Sequence, residues 1–228
     1  GEGEGGLVGD GDLSLCEAKG SNVNWDALLK ANCPNLSDYN LFADMKNPTA
    51  AANSGGLPYD LNTPLFTDHA TKYRFVYVPE GTKADYSANE SFDFPVGSVI
   101  TKTFALPDNT NNRGFANEDL VETRLLIHRA TGWSALPYVW KSDKSDAVLA
   151  KAGAIQGKKI THKGEDLNFD YVVPSMNQCK QCHQFKADSD SNAVFVPIGP
   201  KARHLNRDYA YADGTMNQLS KWQAAGIL

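Results

Sequence analysis

The chain carries the stretch NQCKQCHQF, Asn177 to Phe185, in which Cys179 and Cys182 stand three apart and His183 follows at once. Three chemistries use such a cluster. Paired C-x-x-C motifs build zinc sites, one C-x-x-C can cycle between dithiol and disulfide, and C-x-x-C-H attaches a haem. A structural zinc site needs a second ligand pair at similar spacing. Here Cys16 and Cys33 are far apart in sequence, and His162 and His204 stand alone. A thioredoxin-like dithiol belongs to a parallel α/β sheet, whereas the strand pattern of this chain reads as antiparallel. In C-x-x-C-H each thiol adds to one haem vinyl group, and the adjacent imidazole reaches the iron as proximal ligand. The two cysteines must span the edge of the macrocycle while the histidine sits beneath its centre. We therefore expect one covalent haem c, attached through Cys179 and Cys182, with His183 on the iron.

The second axial position is open. His or Met usually fills it. His204 lies beyond Pro197 and Pro200, far enough along for the chain to cross to the distal side, and it ranks first. Met216, expected to begin a C-terminal helix, ranks second; Met176 is too close to Cys179 to wrap round a haem. His128 is expected at an exposed strand position, His162 in a charged, solvated loop, and His69 just before a strand. Lys201, Arg203 and Arg207 could pair with haem propionates, since Arg suits carboxylates; surface charge is the alternative. The stretch KADSDSN (186–192) offers oxygen ligands for calcium but lacks the glycine and terminal glutamate of a calcium loop, so it reads as solvated. Trp133, Trp140 and Trp222 read as core. No Ser/His/Asp or phosphate-loop pattern stands out.

The elements that must position this cluster are mostly strands. KYRFVYVP (72–79) alternates Tyr73, Phe75 and Tyr77 against Arg74, Val76 and Val78, and then turns at Pro79 to Gly81. FDFPVGSVITKTFALP (92–107) has a Pro-Val-Gly turn followed by β-branched residues. LVETRLLIHRATGWSALPYVW (120–140) reads as two strands joined near Ala130–Gly132, and NFDYVVP (168–174) as another strand. Three segments look helical. In 24–31, Trp25, Leu28 and Leu29 form one face behind an Asn24 cap. The other two are SDAVLAKAG (145–153) and the C-terminal TMNQLSKWQAAGIL, where Gly226 ends the helix. The fold class expected is β-rich α+β: an antiparallel sheet, a few short helices and a C-terminal haem-binding segment. The expected organisation is 1–35 as a flexible start plus a closed short helix, 36–175 as the β domain, and 176–228 as the haem-attachment segment.

Of 228 residues, 41% are hydrophobic and 21% charged, with a net charge of −5, which suits a soluble acidic globular protein and disfavours a nucleic-acid binder. No apolar run is long enough to span a bilayer. The Gly-rich acidic start, GEGEGGLVGDGD, reads as a processed N-terminus. Cys16 and Cys33 flank the short helix and are expected to form a disulfide, with buried thiols or a metal site as rivals. A disulfide and haem attachment each point outside the cytoplasm, to a periplasmic or extracellular protein.

LSDYNLF (36–42), PYDLNTPLFTD (58–68), FPVGSVITKTF (94–104), ETRLLIHRATGWSALPYVW (122–140), NQCKQCH (177–183) and IGPKARHLNRDY (198–209) resemble, in order, the motifs of a family of poorly characterised bacterial periplasmic c-type cytochromes. The resemblance covers roughly 36–228 and carries over the roles of Cys179, Cys182 and His183. Many relatives continue into a second haem domain; one haem is expected here. His69 and His204 stand where Tyr and Asn are expected in relatives, so the resemblance does not extend to them as ligands. A looser similarity to the β-sheet cytochromes c-prime places Lys102 on a strand that could face the haem, against the plainer reading of a solvent-facing lysine. With His204 and Met216 following the motif to cover the distal side, and no acid–base pair beside it, the chain reads as a monohaem extracytoplasmic electron carrier. Its partners would be redox proteins, other cytochromes, or copies of itself in a homo-oligomer or haem-stacked assembly. The alternative is a five-coordinate haem enzyme or gas binder acting on a small nitrogen or oxygen species.

Overall fold

The computed structural model describes residues 7–17, 20–62, 68–182, 184–185, 194–195 and 201–228, with 180–182, 184–185 and 194–195 described by backbone alone. Its centre is an antiparallel meander in chain order: β1 (Leu57–Tyr59), β2 (Thr71–Tyr77), β3 (Val99–Pro107), β4 (Glu118–Arg129), β5 (Gly132–Trp140) and β6 (Ala147–Leu149). The β4–β5 connection is the tight turn expected at Ala130–Thr131, with Gly132 taking a φ of 122° that a side chain would resist. Both faces of the central strands are buried. Phe75, Tyr77, Val99, Leu125, Ile127, Leu136 and Tyr138 point into one core. Val76, Ile100, Leu126 and Ala135 point into the other.

The first face is covered by the N-terminal segment. Helix α1 (Trp25–Lys30) starts at Asn24, whose side chain accepts from the Ala27 amide, as the sequence predicts. Cys16 and Cys33 form a disulfide with Cα atoms 5.5 Å apart. Buried Arg129 closes the other end of α1. Its Nε donates to Leu28 O at 2.9 Å, and its Nη atoms donate to Ala31 O at 2.8 Å and Asn32 Oδ1 at 2.6 Å. Tyr138 Oη donates to Cys33 O at 2.7 Å, which ties the disulfide to the sheet.

The second face is covered from its two ends. One cover is the hairpin β7 (Ala154–His162) and β8 (Glu165–Val173), which packs Tyr171 and Val173 on Phe104 and Leu106. The other comprises α3 (Ala202–Leu205), the hairpin β11 (Asp208–Tyr211) and β12 (Gly214–Asn217), and α4 (Gln218–Ala224), with Leu205 and Trp222 fully buried. Between them in the chain come α2 (Met176–Cys182) and two short paired strands, β9 (Gln184–Phe185) and β10 (Val194–Phe195). The architecture is β-rich α+β with a few short helices. Among the described residues no helix is long and apolar enough to cross a membrane.

Three local expectations are corrected. The segment 145–153 is not helical: Ala147–Leu149 is an edge strand on β5, because pairing with Tyr138–Trp140 outweighs the helix preference of a short Ala/Leu/Lys stretch. The C-terminal helix begins at Gln218, not at Thr215. Thr215 and Met216 pair with Ala210 and Tyr209, and Asn217 then caps the helix by accepting from the Leu219 and Ser220 amides. The charged stretch around His162 is the end of β7, turned at Lys163–Gly164.

Candidate functional site

Helix α2 carries the C-x-x-C. Ser175 and Gln178 form a reciprocal capping box: Ser175 N donates to Gln178 Oε1 at 2.8 Å and Gln178 N to Ser175 Oγ at 3.2 Å. Positions 179 and 182 are one helical turn apart and share a helix face. The Cys179 side chain is buried in the second core with Ile100, Leu126 and Trp222. Met176 packs on the first core instead. His183 and the stretch 186–192 lie outside the described residues.

Cys179 is buried within electrostatic reach of a row of cations that the sheet register assembles. Arg74 on β2 faces Lys102 on β3, and Lys102 faces Arg124 on β4. All three share the side-chain parity of Val76, Ile100 and Leu126, the face against which Cys179 packs. Lys72 is two residues before Arg74 on the same face, and its ammonium lies 5.7 Å from the Phe104 ring centroid. The Arg124 guanidinium lies 4.3 Å from the same centroid and is paired with Glu122.

Arg74 is buried, and Lys72, Lys102 and Arg124 are partly buried. Burial, then repulsion from Arg74, Arg124 and Lys72, pushes the Lys102 ammonium down to about 7, while Cys179 opposes the shift. Burial, with Arg74 and Arg124, takes Lys72 down to about 8. Burial pushes the Glu122 carboxyl up, and Arg124 pulls it part of the way back. Arg74 is only 7% exposed, and its Nε has no hydrogen-bond partner. Tyr59, its cross-strand neighbour on β1, also has a buried hydroxyl without a partner, as does the indole Nε1 of Trp222, whose ring is 5.6 Å from that of Tyr59. Buried polar groups are almost always satisfied, so such a cluster marks a place where a partner belongs.

Lys102 is partly buried on β3 among these cations, rather than fully solvent-facing as in the plainer reading. Sequence reasoning missed Arg74, Lys72 and Arg124, and nominated Lys201, Arg203 and Arg207 for carboxylates. Arg203 and Arg207 are exposed; Arg203 Nε donates to His204 Nε2 at 3.3 Å, and Arg207 reaches Leu61 O at 3.5 Å.

The two nominated distal ligands are placed as follows. His204 lies on α3 beside Leu205 of the second core, with its Nε2 engaged by Arg203. Its carbonyl accepts from Asn62 N at 2.8 Å, and Asn62 Nδ2 donates to Arg203 O at 2.7 Å, so α3 is fixed to the loop after β1. Met216 is 41% exposed on β12. His128 is partly buried, stacked on Trp133 at 4.7 Å, with its Nδ1 2.7 Å from Phe94 O. His162 Nδ1 is 2.8 Å from Thr110 Oγ1, and its ring is 4.4 Å from that of His69. No protein-family model, curated protein or solved structure matches the chain.

Proposed function

We propose that the chain is a monohaem c-type cytochrome acting in extracytoplasmic electron transfer, with Cys179 and Cys182 as thioether anchors and His183 as proximal ligand. The observation that carries this reading is the docking of the C-x-x-C helix. Cys179 is buried against a sheet face on which, among the described residues, Arg74 and Lys102 have no carboxylate partner, and haem c brings two thioether positions and two carboxylates on one macrocycle. The residues present therefore fit the group. Bound haem would supply a one-electron couple. The apolar residues Ile100, Leu126 and Trp222 would exclude water beside it, and the cations would favour the reduced, less positive form. The Cys16–Cys33 disulfide suits an oxidising compartment. Electron exchange needs redox partners, whether other cytochromes, a redox enzyme or further copies of the chain.

The second reading is a five-coordinate haem protein acting on a small nitrogen or oxygen species. One observation favours it: of the two nominated distal ligands, His204 Nε2 is held by Arg203, and Met216 is a well-exposed strand residue.

One set of measurements tests both. Denatured protein should keep its red colour, and its intact mass should exceed that of the polypeptide by one haem. A mass equal to the bare chain, or to the chain plus zinc, removes the haem reading. A low-spin ferric spectrum with slow or no carbon monoxide binding to the ferrous form supports the carrier; a high-spin spectrum with immediate binding supports the five-coordinate alternative.

A further inference from the structure

Most buried charges in folded chains meet a counter-charge. Arg124 obeys this through Glu122. Arg74 does not: among the described residues it has neither a hydrogen bond nor an ion pair, although it is 93% buried, the complement of its 7% exposure. Lys102, its cross-strand neighbour, has no carboxylate partner among them either. Arg74 Nε and the Trp222 indole N–H, both without a partner, can only donate, as can the Lys102 ammonium, and the unpartnered Tyr59 hydroxyl can donate. Among the described residues, the one orphaned carboxylate oxygen on this face, Glu122 Oε2, belongs to the group already paired with Arg124. Arg74 and Lys102 are left with surplus positive charge, which calls for an anion.

We propose that Arg74 and Lys102, with Tyr59 and Trp222 beside them, form a buried carboxylate-binding site on the second face of the sheet. Arg74 is the selective element, because a guanidinium can hold a carboxylate through two parallel N–H donors. Lys102 adds a point charge. Arg124 is already engaged by Glu122 and contributes field rather than a contact. A carboxylate could reach this site from two sources: the side chains of the haem proposed above, on which that branch rests, or a free small dicarboxylate.

The experiment uses the full chain as purified, with Arg74→Gln, Lys102→Gln, their double variant, and the charge-conserving Arg74→Lys. Circular dichroism selects the variants that fold. The first arm follows midpoint potential against pH. Carboxylates held by two cations stay ionised between about pH 5 and about pH 8, so the wild-type potential is flat there. Loss of the cations raises the carboxylate pKa into that range. The double Gln variant should then show a potential that falls with rising pH, and Arg74→Lys should restore the flat profile. The second arm titrates each protein calorimetrically with malonate. If the carboxylate is a free acid, wild type binds malonate and each Gln variant binds it about tenfold to a hundredfold more weakly, as expected for loss of a charge-assisted hydrogen bond.

A pH slope appearing only in the Gln variants assigns the site to haem carboxylates. Malonate binding that the variants lose assigns it to a free acid. Flat profiles together with no malonate binding overturn the proposal. Should the purified protein carry no covalent haem, the cytochrome reading fails, and the malonate arm alone decides for or against the carboxylate site.

Discussion

Lys102→Met gives the most direct test of the cation row. An unfolded lysine keeps its proton up to about 10.5, whereas burial among other cations lets Lys102 lose its proton near 7. Between these values the unfolded chain binds more protons than the folded one, so stability rises with pH across that window. Below pH 7 the penalty of burying the charge is fully present, and above 10.5 it is gone. One pKa unit is worth about 1.4 kcal/mol, which sets the penalty at about 5 kcal/mol at most. The background that exposes it is Cys179→Ser/Cys182→Ser, which cannot form thioethers. There, Lys102→Met should stabilise the fold by a few kcal/mol below pH 7, and the gain should fade as the pH rises. In wild type with its site filled, the sign reverses, because the ammonium then has a partner; its loss should cost about 1.5–3 kcal/mol. Urea unfolding at a series of pH values measures both. A serine background whose stability is flat from neutral to alkaline pH, or a Met variant that is equally destabilising in both backgrounds, would refute the buried-cation account.

Two further predictions concern the opposite face. Cys16→Ala with Cys33→Ala should lower stability by about 3 kcal/mol through the freed loop, and alkylation of unreduced native protein should label neither cysteine. Arg129→Met leaves Leu28 O and Asn32 Oδ1 without their buried donor, while Ala31 O keeps Tyr39 Oη at 3.0 Å; urea unfolding should show a loss of about 2–4 kcal/mol, with the visible spectrum of the holoprotein unchanged.

The strands that were legible are those whose local pattern and tertiary role agree. The β4–β5 hairpin declares itself by a Gly after a two-residue turn between β-branched runs, and α1 by its Asn cap and apolar face. Strand β6 was illegible because SDAVLAKAG favours a helix and only its pairing with Tyr138–Trp140 makes it a strand. Strand β7 was hidden by its polar residues: Gln156, Lys158, Lys159 and His162 lie along a hairpin that is largely open to water. In the site, the C-x-x-C-H motif is local and could be read from spacing. The cation row is not local. Arg74, Lys102 and Arg124 come from three strands, and each alone looks like a solvent-facing residue. A usable signal was present in β2, where Arg74 alternates with Tyr73 and Phe75 but shares its own face with Val76. A strand apolar on both faces is buried on both, so a charge within it needs a partner.

The division of labour between the two faces explains how a sheet can tolerate such a row. On the first face the disulfide, Arg129 and the Tyr39–Tyr138 hydrogen bond at 2.9 Å bind the N-terminal layer to the sheet, and no charge without hydrogen-bond partners is buried there among the residues they join. That core can hold the meander in register before anything binds. The cost of desolvating Arg74 and Lys102 then falls on the second face alone, where the covering elements are a two-stranded hairpin and short helices. An anion bound there stabilises the folded state in proportion to its affinity, because the unfolded chain offers no such cluster. Stability on this face is therefore linked to occupancy, and the C-x-x-C helix is docked through Cys179 on the face where that linkage acts.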